Sequence, residues 1–551
     1  MDQPSPPDKH SFFHSAGIVS AAISLSRVTG MVRELAMARL FGASAVNDAF
    51  QIAFRIPSLT RNLFAEGSLS SAFVPVFTRY LTGQGKREAG ELWNVVATAL
   101  MLVVGFFCVL GMFFSPQLVR LLAPGFEHAP EKFALAVLLT RIMFPFLLLV
   151  ALASQAMGVL NACDRFGVPA LASTFFNIGS VVIGLALGYT VGRSYGSGLI
   201  VSMACGVLAG GLLQLFWQMP SLSRAGFHYR PRLNWSHPGL RQILRLMGPA
   251  LVGNGALQIN VIVNTNLASG LTDASGRVID GPVSWLAYGF RFMQLPLGLF
   301  GVALASVTLP ALSRNATVER MDQFRDTLAR SLGTVLLLMI PSSVGLAVMG
   351  RSMIAAVYQG GRFTAFDTRQ TALALTCYSV GLAGYAAIKI LAPAFYALDD
   401  GRTPMLVSLA SIAVNLAAAV ATVKWSRMGH AGLAISTSGS ALFGSVVLFE
   451  LLRRRIHGLH GPELAASMAK ILTASALMGA VCWLSRATIH AVEGTGRFAQ
   501  LLDVAISIPL GVAVFYGVAR VLRIGELEAV RSAVLALFAR PSTSGPRDTL
   551  R

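Results

Sequence analysis

The chain reads as an all-α polytopic membrane protein with about fourteen transmembrane helices, and three observations carry that reading. Of its 551 residues, 54% are hydrophobic and only 13% charged, where a soluble domain averages about 25% charged. The mean hydropathy is +0.64. Apolar stretches of about 20 residues recur from end to end, each long enough to cross a hydrocarbon core of roughly 30 Å. Stretches such as 97–115 and 143–161 are continuously apolar. A membrane barrel strand would instead alternate at every second residue, and in lipid only helices or closed barrels satisfy their own backbone.

The candidate spans are 12–40, 46–78, 91–117, 133–161, 169–191, 196–219, 243–270, 283–312, 328–350, 370–397, 404–423, 430–452, 464–485 and 498–522. The first two are interrupted by charges. Lys and Arg concentrate on one side: the N-terminal side and the even-numbered connections carry about 25, the odd-numbered ones about 11, so the positive-inside rule puts both termini in the cytoplasm. The formal charge of +19 is mostly this topological bias. A nucleic-acid role would need a basic soluble domain, and no nucleic-acid partner is expected. Residues 1–11 are polar, with Pro4, Pro6 and Pro7, and no secretory signal is expected. The five cysteines are scattered without a CxxC and the histidines fall mostly in loops, so neither a disulfide framework nor a metal site is expected. No cofactor is expected either.

Self-comparison reveals a repeat at an offset near 235. Val74-Pro75-Val76-Phe77-Thr78-Arg79 matches Leu309-Pro310-Ala311-Leu312-Ser313-Arg314; Ala162-Cys163-Asp164 matches Ala397-Leu398-Asp399; Pro169 matches Pro404 and Gly125 matches Gly360. Several matches at one offset indicate duplication. Each unit holds about six spans, an even number, so the two should be related by a pseudo-two-fold axis along the membrane normal, as in parallel-repeat transporters. The expected plan is a cytoplasmic tail at 1–11, a six-helix lobe at 12–222 and a cytoplasmic linker at 223–242. A second six-helix lobe at 243–455, two additional transmembrane helices within 456–523 and a cytoplasmic amphipathic tail at 524–551 complete it. Residues 318–328 share the amphipathic spacing of that tail, and both segments are expected on the membrane surface.

Ionisable residues inside spans are costly and so point to function. Arg27 and Arg33 flank Gly30 in the first span, and Glu34 follows at once; Asp48, Arg55, Arg61 and Glu66 lie in the second, and Arg291 interrupts the eighth. Gly30 could bend the first helix and free amides for an anion. Arginine binds phosphate with a planar, bidentate fork, so several of them in a lipid-walled cavity point to a phosphate or pyrophosphate on the substrate. Competing readings stay open: Arg55 could form a structural pair with Asp48 or Glu66, and Arg141 and Lys389 could line the cavity or reach an interface.

The stretch Ser26-Arg27-Val28-Thr29-Gly30-Met31-Val32-Arg33-Glu34, then Phe41-Gly42-Ala43 and Asp48-Ala49-Phe50, resembles the first-helix signature of the MurJ (MviN) family of lipid II flippases. Pro57-Ser58-Leu59-Thr60-Arg61-Asn62-Leu63-Phe64-Ala65-Glu66-Gly67, continued by Ala72-Phe73-Val74-Pro75, is similar to that family's most specific motif. Arg291 with Pro296, Gly298 and Gly301-Val302-Ala303 fits its eighth helix, and Lys389 to Pro404 its tenth-to-eleventh connection. The resemblance covers roughly residues 15–525. It implies a multidrug/oligosaccharidyl-lipid/polysaccharide exporter fold and a transporter, not an enzyme. It further implies movement of lipid II, an undecaprenyl-pyrophosphate-linked disaccharide peptide, from the cytoplasmic to the periplasmic leaflet of the bacterial inner membrane. The protein would work by alternating access, as a monomer among membrane lipids, with the cell-wall synthesis machinery as a candidate associate. Carried over by position, the cavity arginines are Arg27, Arg33, Arg61 and Arg291, with Asp48 as a supporting acid. The two additional helices would form a groove for the lipid tail. Where the family pattern has an acid before the eighth-helix arginine, this chain has Phe290, and Asn415 is followed one turn on by Ala419 rather than an acid.

Two other classes compete. Another exporter of the same superfamily is one, a polysaccharide-lipid exporter or a drug/cation antiporter; the antiporter reading prefers acids in the cavity, whereas arginines dominate here. A polyprenyl-phosphate-dependent membrane enzyme would need a large catalytic loop or an acid cluster, and the odd-numbered connections are all about 20 residues or shorter.

Overall fold

The computed structural model describes residues 9–63, 69–190, 198–316, 320–426, 428–459, 461–494, 496–528 and 530–531. In chain order the helices are α1 (Lys9–Phe41), α2 (Ala45–Leu63), α3 (Ser70–Gly83), α4 (Lys86–Phe113), α5 (Ser115–Leu122), α6 (Pro130–Met143), α7 (Phe146–Ala162), α8 (Gly167–Thr190), α9 (Gly198–Phe216) and α10 (Met219–Arg224). They continue with α11 (Pro238–Ser269), α12 (Pro282–Pro296), α13 (Val302–Asn315), α14 (Met321–Tyr358), α15 (Ala365–Ser379), α16 (Leu382–Ala397), α17 (Arg402–Lys424), α18 (Gly429–Arg455), α19 (Gly461–Glu493) and α20 (Arg497–Val521). Every one of the fourteen stretches expected to span contains helix. Among the described residues nine helices are long and apolar enough to cross a membrane by composition, or ten if α15 and α16, bent by 41° at their junction, count as one. Pro57, Pro75 and Pro310 lie within α2, α3 and α13, and Pro296 stands at the end of α12. The result is an all-helical, multi-pass membrane protein. Phe106, Phe107, Val109 and Phe113 on α4, and Val512 and Val521 on α20, stand exposed; surfaces this apolar face lipid.

The chain divides into two compact units, Met1–Ala287 with Tyr358–Asp367, and Tyr288–Val357 with Thr368–Arg551. In the first, Phe73 and Phe77 of α3, Leu92 and Trp93 of α4, Phe227 and Ile243 form a buried cluster. On α9, Gly206 and Gly210 let the backbone of α8 approach so closely that a Cβ would meet Ser180 O at 2.4 Å and Phe176 O at 2.6 Å. Small residues at such seams are how membrane helices pack without a hydrophobic drive. In the second unit α19 and α20 lie against α14, with Leu337, Ile340, Ile471, Ala519 and Ile524 in one buried cluster and Met349, Met478 and Cys482 in another.

The internal repeat is visible in local geometry. Lys86 and Met321 open corresponding helices 235 residues apart, as do Gly167 and Arg402. The break between α6 and α7 recurs between α15 and α16. Most tellingly, Asp164 (φ 58°) and Asp399 (φ 57°) both sit in the left-handed region, which costs a non-glycine residue energy and is best tolerated by Asp and Asn. Each closes the same helix end: Arg165 N donates to Leu160 O at 2.9 Å and Asp400 N to Phe395 O at 2.9 Å, the six-to-one bond of a Schellman cap.

Two local expectations change. α1 runs as one continuous helix from Lys9 to Phe41, so Gly30 opens no gap in it that would free amides for an anion. Residues from Met321 onward are the first turns of α14 rather than a separate surface helix. Phe324 and Leu328 are fully buried, and Arg325 Nε donates to Ile456 O at 2.7 Å. Of the amphipathic tail at 524–551, residue 529 and those beyond 531 lie outside the described residues; at its start Leu527 and Val530 pack against the α14–α20 cluster.

Candidate functional site

The charged residues of α1 and α2 occupy three different environments. Arg27 is exposed, and among the described residues no acid pairs with it. At about 1.5 Å per residue it lies roughly 21 Å along α1 from Phe41, well inside the length of a span. One turn and a half further on, Arg33 is seated. Its Nη2 bonds Glu34 Oε1 at 2.9 Å, and its Cζ stands 5.6 Å from the ring centre of Phe54 and 5.3 Å from that of Phe176. Those rings belong to an aromatic run in which Phe54 stacks on Phe146 and Phe146 on Phe176. A guanidinium between two rings gains cation–π attraction from both and loses freedom to snorkel. Behind it, Asn177 Nδ2 donates to Ser26 O at 3.1 Å, and a Cβ at Gly30 would stand 3.3 Å from that same nitrogen. Gly30 is therefore a packing position that lets α8 hold α1.

Asp48, at the start of α2, is fully buried and saturated. Lys132 Nζ approaches its Oδ2 at 3.0 Å, and Gly281 N donates to the same oxygen at 2.8 Å. Ser284 donates to Oδ1 from its backbone N at 3.0 Å and from its Oγ at 2.7 Å. Lys132 also reaches Asp280 Oδ1 at 2.9 Å and lies over the Phe126 ring at 4.4 Å. One carboxylate thus joins α2, the foot of α6 and the first turn of α12, where it accepts orphan helix amides as a capping acid does. Asp48 is engaged by Lys132, not by Arg55; Arg55 Nη1 donates to Thr265 Oγ1 of α11. Beside this network the chain crosses itself closely. Arg362 N donates to Arg39 O at 2.9 Å, and Gly42 (φ 61°) and Gly361 (φ 57°) sit where a Cβ would fall 2.3 Å from Arg362 O and Arg39 O. Trp285 Nε1 donates to Asp367 Oδ1 at 3.0 Å.

The remaining candidates are placed separately. Arg141 Nε donates to Ser115 Oγ at 2.9 Å. In the second unit Arg291 is exposed on α12, next to Phe290, which meets Tyr378 edge-on at 5.3 Å. Lys389 is half-buried, its stem against Gly301. The Arg61 side chain and Glu66 lie outside the described residues. A cavity of about 500 Å³ in the first unit, lined by Val96, Phe107, Phe144, Trp235, Ile243 and neighbours, is almost wholly apolar and offers an anion nothing. Sequence reasoning missed Lys132, Asp280, Ser284 and Asn177. Lys132 stands one residue before the span at 133 and passes for a loop charge.

Comparison with known proteins bears on what this arrangement serves. Residues 37–502 match the family described as Lipid II flippase MurJ. A Burkholderia cenocepacia protein named lipid II flippase MurJ is 33% identical over 516 residues, covering 92% of this chain and 96% of its own. The solved structure "Lipid II flippase MurJ, inward closed conformation" superposes with a TM-score of 0.72 at 26% identity, covering 92% of this chain and 99% of that one. An inward-facing multidrug resistance MATE transporter of the MOP superfamily gives a TM-score of 0.65 at 15% identity over 80% of this chain and 96% of its own, a likeness of fold alone.

Proposed function

This chain belongs to the MurJ family of lipid II flippases, and on that premise we propose that it carries lipid II from the cytoplasmic to the periplasmic leaflet, its pyrophosphate held by Arg27, Arg33, Arg61 and Arg291. The tail of such a substrate can stay in lipid, but a diphosphate crossing an apolar medium must be neutralised on the way. The single observation that supports the reading best is Arg27: a permanent charge deep in a membrane helix, exposed, with no acid partner among the described residues. Such a charge is expensive unless a ligand compensates it. Arg33, stacked between Phe54 and Phe176, is pre-positioned, which lowers the ordering cost of binding. Asp48 is the supporting acid, and it joins α2, α6 and the first turn of α12. The membrane arrangement we propose has fourteen crossings, in two six-helix lobes descended from one duplication plus α19 and α20, with both termini cytoplasmic. The chain carries no G-x-x-x-x-G-K-[ST] loop of the kind that binds ATP, so the driving force is an ion gradient, the membrane potential or substrate consumption. A net positive cavity responds to potential by about 2.3 kcal/mol per charge per 100 mV.

The test is rescue of a strain depleted of its own lipid II flippase. Wild-type protein restores growth, while Arg27→Ala, Arg33→Ala and Arg291→Ala accumulate in the membrane and do not. Lys at these positions restores part of the activity, since it keeps charge and loses the fork. Full rescue by all three Ala variants overturns the pyrophosphate assignment.

A further inference from the structure

A second polar site lies entirely within the second unit and uses none of the residues assigned to lipid II. Arg351 and Ser352 of α14, Trp483, Arg486 and His490 of α19 and Gln500 of α20 line a cavity of about 360 Å³. On α19 the three named side chains fall at i, i+3 and i+7, one face of the helix. Both arginines stand seven residues from the ends of their helices, roughly 10 Å at helical rise, so they share one depth near one membrane face. The Trp483 ring is exposed, as aromatic side chains are at the level of lipid headgroups.

Ordinary snorkelling does not account for the arrangement. Arg486 turns inward, donating from Nη1 to Val348 O at 2.9 Å, and it lines the same cavity as Arg351. Two like charges gathered beside a cavity need a counter-charge. The fully buried Asp503, held by Ser507 Oγ at 2.7 Å, is the nearby acid, and it is shared with His490, whose Nε2 stands 3.8 Å from its Oδ2. Ser352 Oγ also lines the cavity, 1% exposed and without a hydrogen-bond partner among the described residues. A buried hydroxyl left unpaired is costly, and here it stands with donors whose shared preference is a phosphate oxygen.

We infer that this pocket binds the phosphodiester of an anionic membrane lipid, Arg351 and Arg486 gripping the phosphate and Ser352 donating to it. Two arginines beside a single acid suit a phosphodiester anion, and the exposed indole suits a ligand that arrives through the bilayer.

The experiment is native mass spectrometry of the full-length protein titrated with phosphatidylglycerol and with phosphatidylcholine. Wild type binds one phosphatidylglycerol in clear preference to phosphatidylcholine, and R351A/R486A loses about tenfold of that affinity, the worth of one charge-assisted contact or more. Ser352→Leu, which fills the pocket and keeps both arginines, loses it too and covers the case in which the double variant folds poorly. Competition on the wild-type protein needs no variant: inorganic phosphate leaves the bound lipid in place. Unchanged phosphatidylglycerol binding in both variants, no preference over phosphatidylcholine, or displacement by inorganic phosphate at the concentration of the lipid overturns the assignment.

Discussion

Replacing Asp48 by Ala removes the acceptor of four contacts at once. Gly281 N, Ser284 N and Ser284 Oγ lose their partner, and Lys132, its side chain 3% exposed, keeps only Asp280, whose own side chain is 54% exposed. A buried donor left unsatisfied costs about 1–3 kcal/mol, and breaking one side of a buried ion pair costs about 3–5 kcal/mol. The two overlap, Ser284 Oγ can turn elsewhere, and the surviving Asp280 contact spares part of the Lys132 term. The expected loss is therefore about 3–5 kcal/mol rather than the sum. Lys132→Met alone leaves Asp48 with its three remaining donors and costs less. In D48A/K132M no unpaired cation remains, so the double variant is less destabilised than the two singles added together. The assay is thermal unfolding of the purified full-length protein with a thiol-reactive fluorophore, read at Cys108, which is buried within the same unit, in a background lacking the other four cysteines. A D48A midpoint equal to wild type, or strictly additive effects in the cycle, refutes the claim that this network holds α2, α6 and α12 together.

Gly42→Ala meets two obstacles, a left-handed φ of 61° and a carbonyl 2.3 Å from the new Cβ. It should cost about 2–5 kcal/mol in the same unfolding assay, while Gly83→Ala, with open space around it, serves as the neutral control. Hydrogen bonds from Thr403 N and Oγ, reinforced by nearby Arg455 and Arg402 N, hold the Asp400 carboxyl below the usual carboxylate range. A depressed folded value means the contribution is complete above the ordinary carboxylate pKa and is lost as pH falls through the lowered one. Protection against amide exchange at the start of α17, after correction for the intrinsic pH dependence of exchange, should therefore fall in acid, and Asp400→Asn should abolish that fall; the same fall surviving in the variant contradicts it. Topology reporters fused after Arg551 should read out in the cytoplasm, and a periplasmic signal would mean an odd number of crossings.

Much of the architecture is legible along the chain because its causes are local. Twenty apolar residues commit a segment to the bilayer wherever it lies, and the same turn chemistry recurs 235 residues on, where Asp164 and Asp399 close their helices alike. The intramembrane arginines are likewise conspicuous, since any charge in an apolar run stands out. Their partners are another matter. Asp48 finds Lys132, 84 residues away, and the first turn of α12, more than 230 residues away, because a buried charge settles with whatever donors the packed helices bring to it, and helix order in sequence carries no record of that. The same holds for Gly30, which looks like a hinge in a string of letters and proves to be the surface on which Asn177 rests. It holds too for Arg351 and Arg486, two unremarkable span-end charges until α14 and α19 are laid side by side. Hydropathy and periodicity, summed over neighbours in the chain, set which segments become helices; the identity of each buried contact is set by three-dimensional packing, where sequence separation has no energetic meaning once the entropy of closing the loop has been overcome.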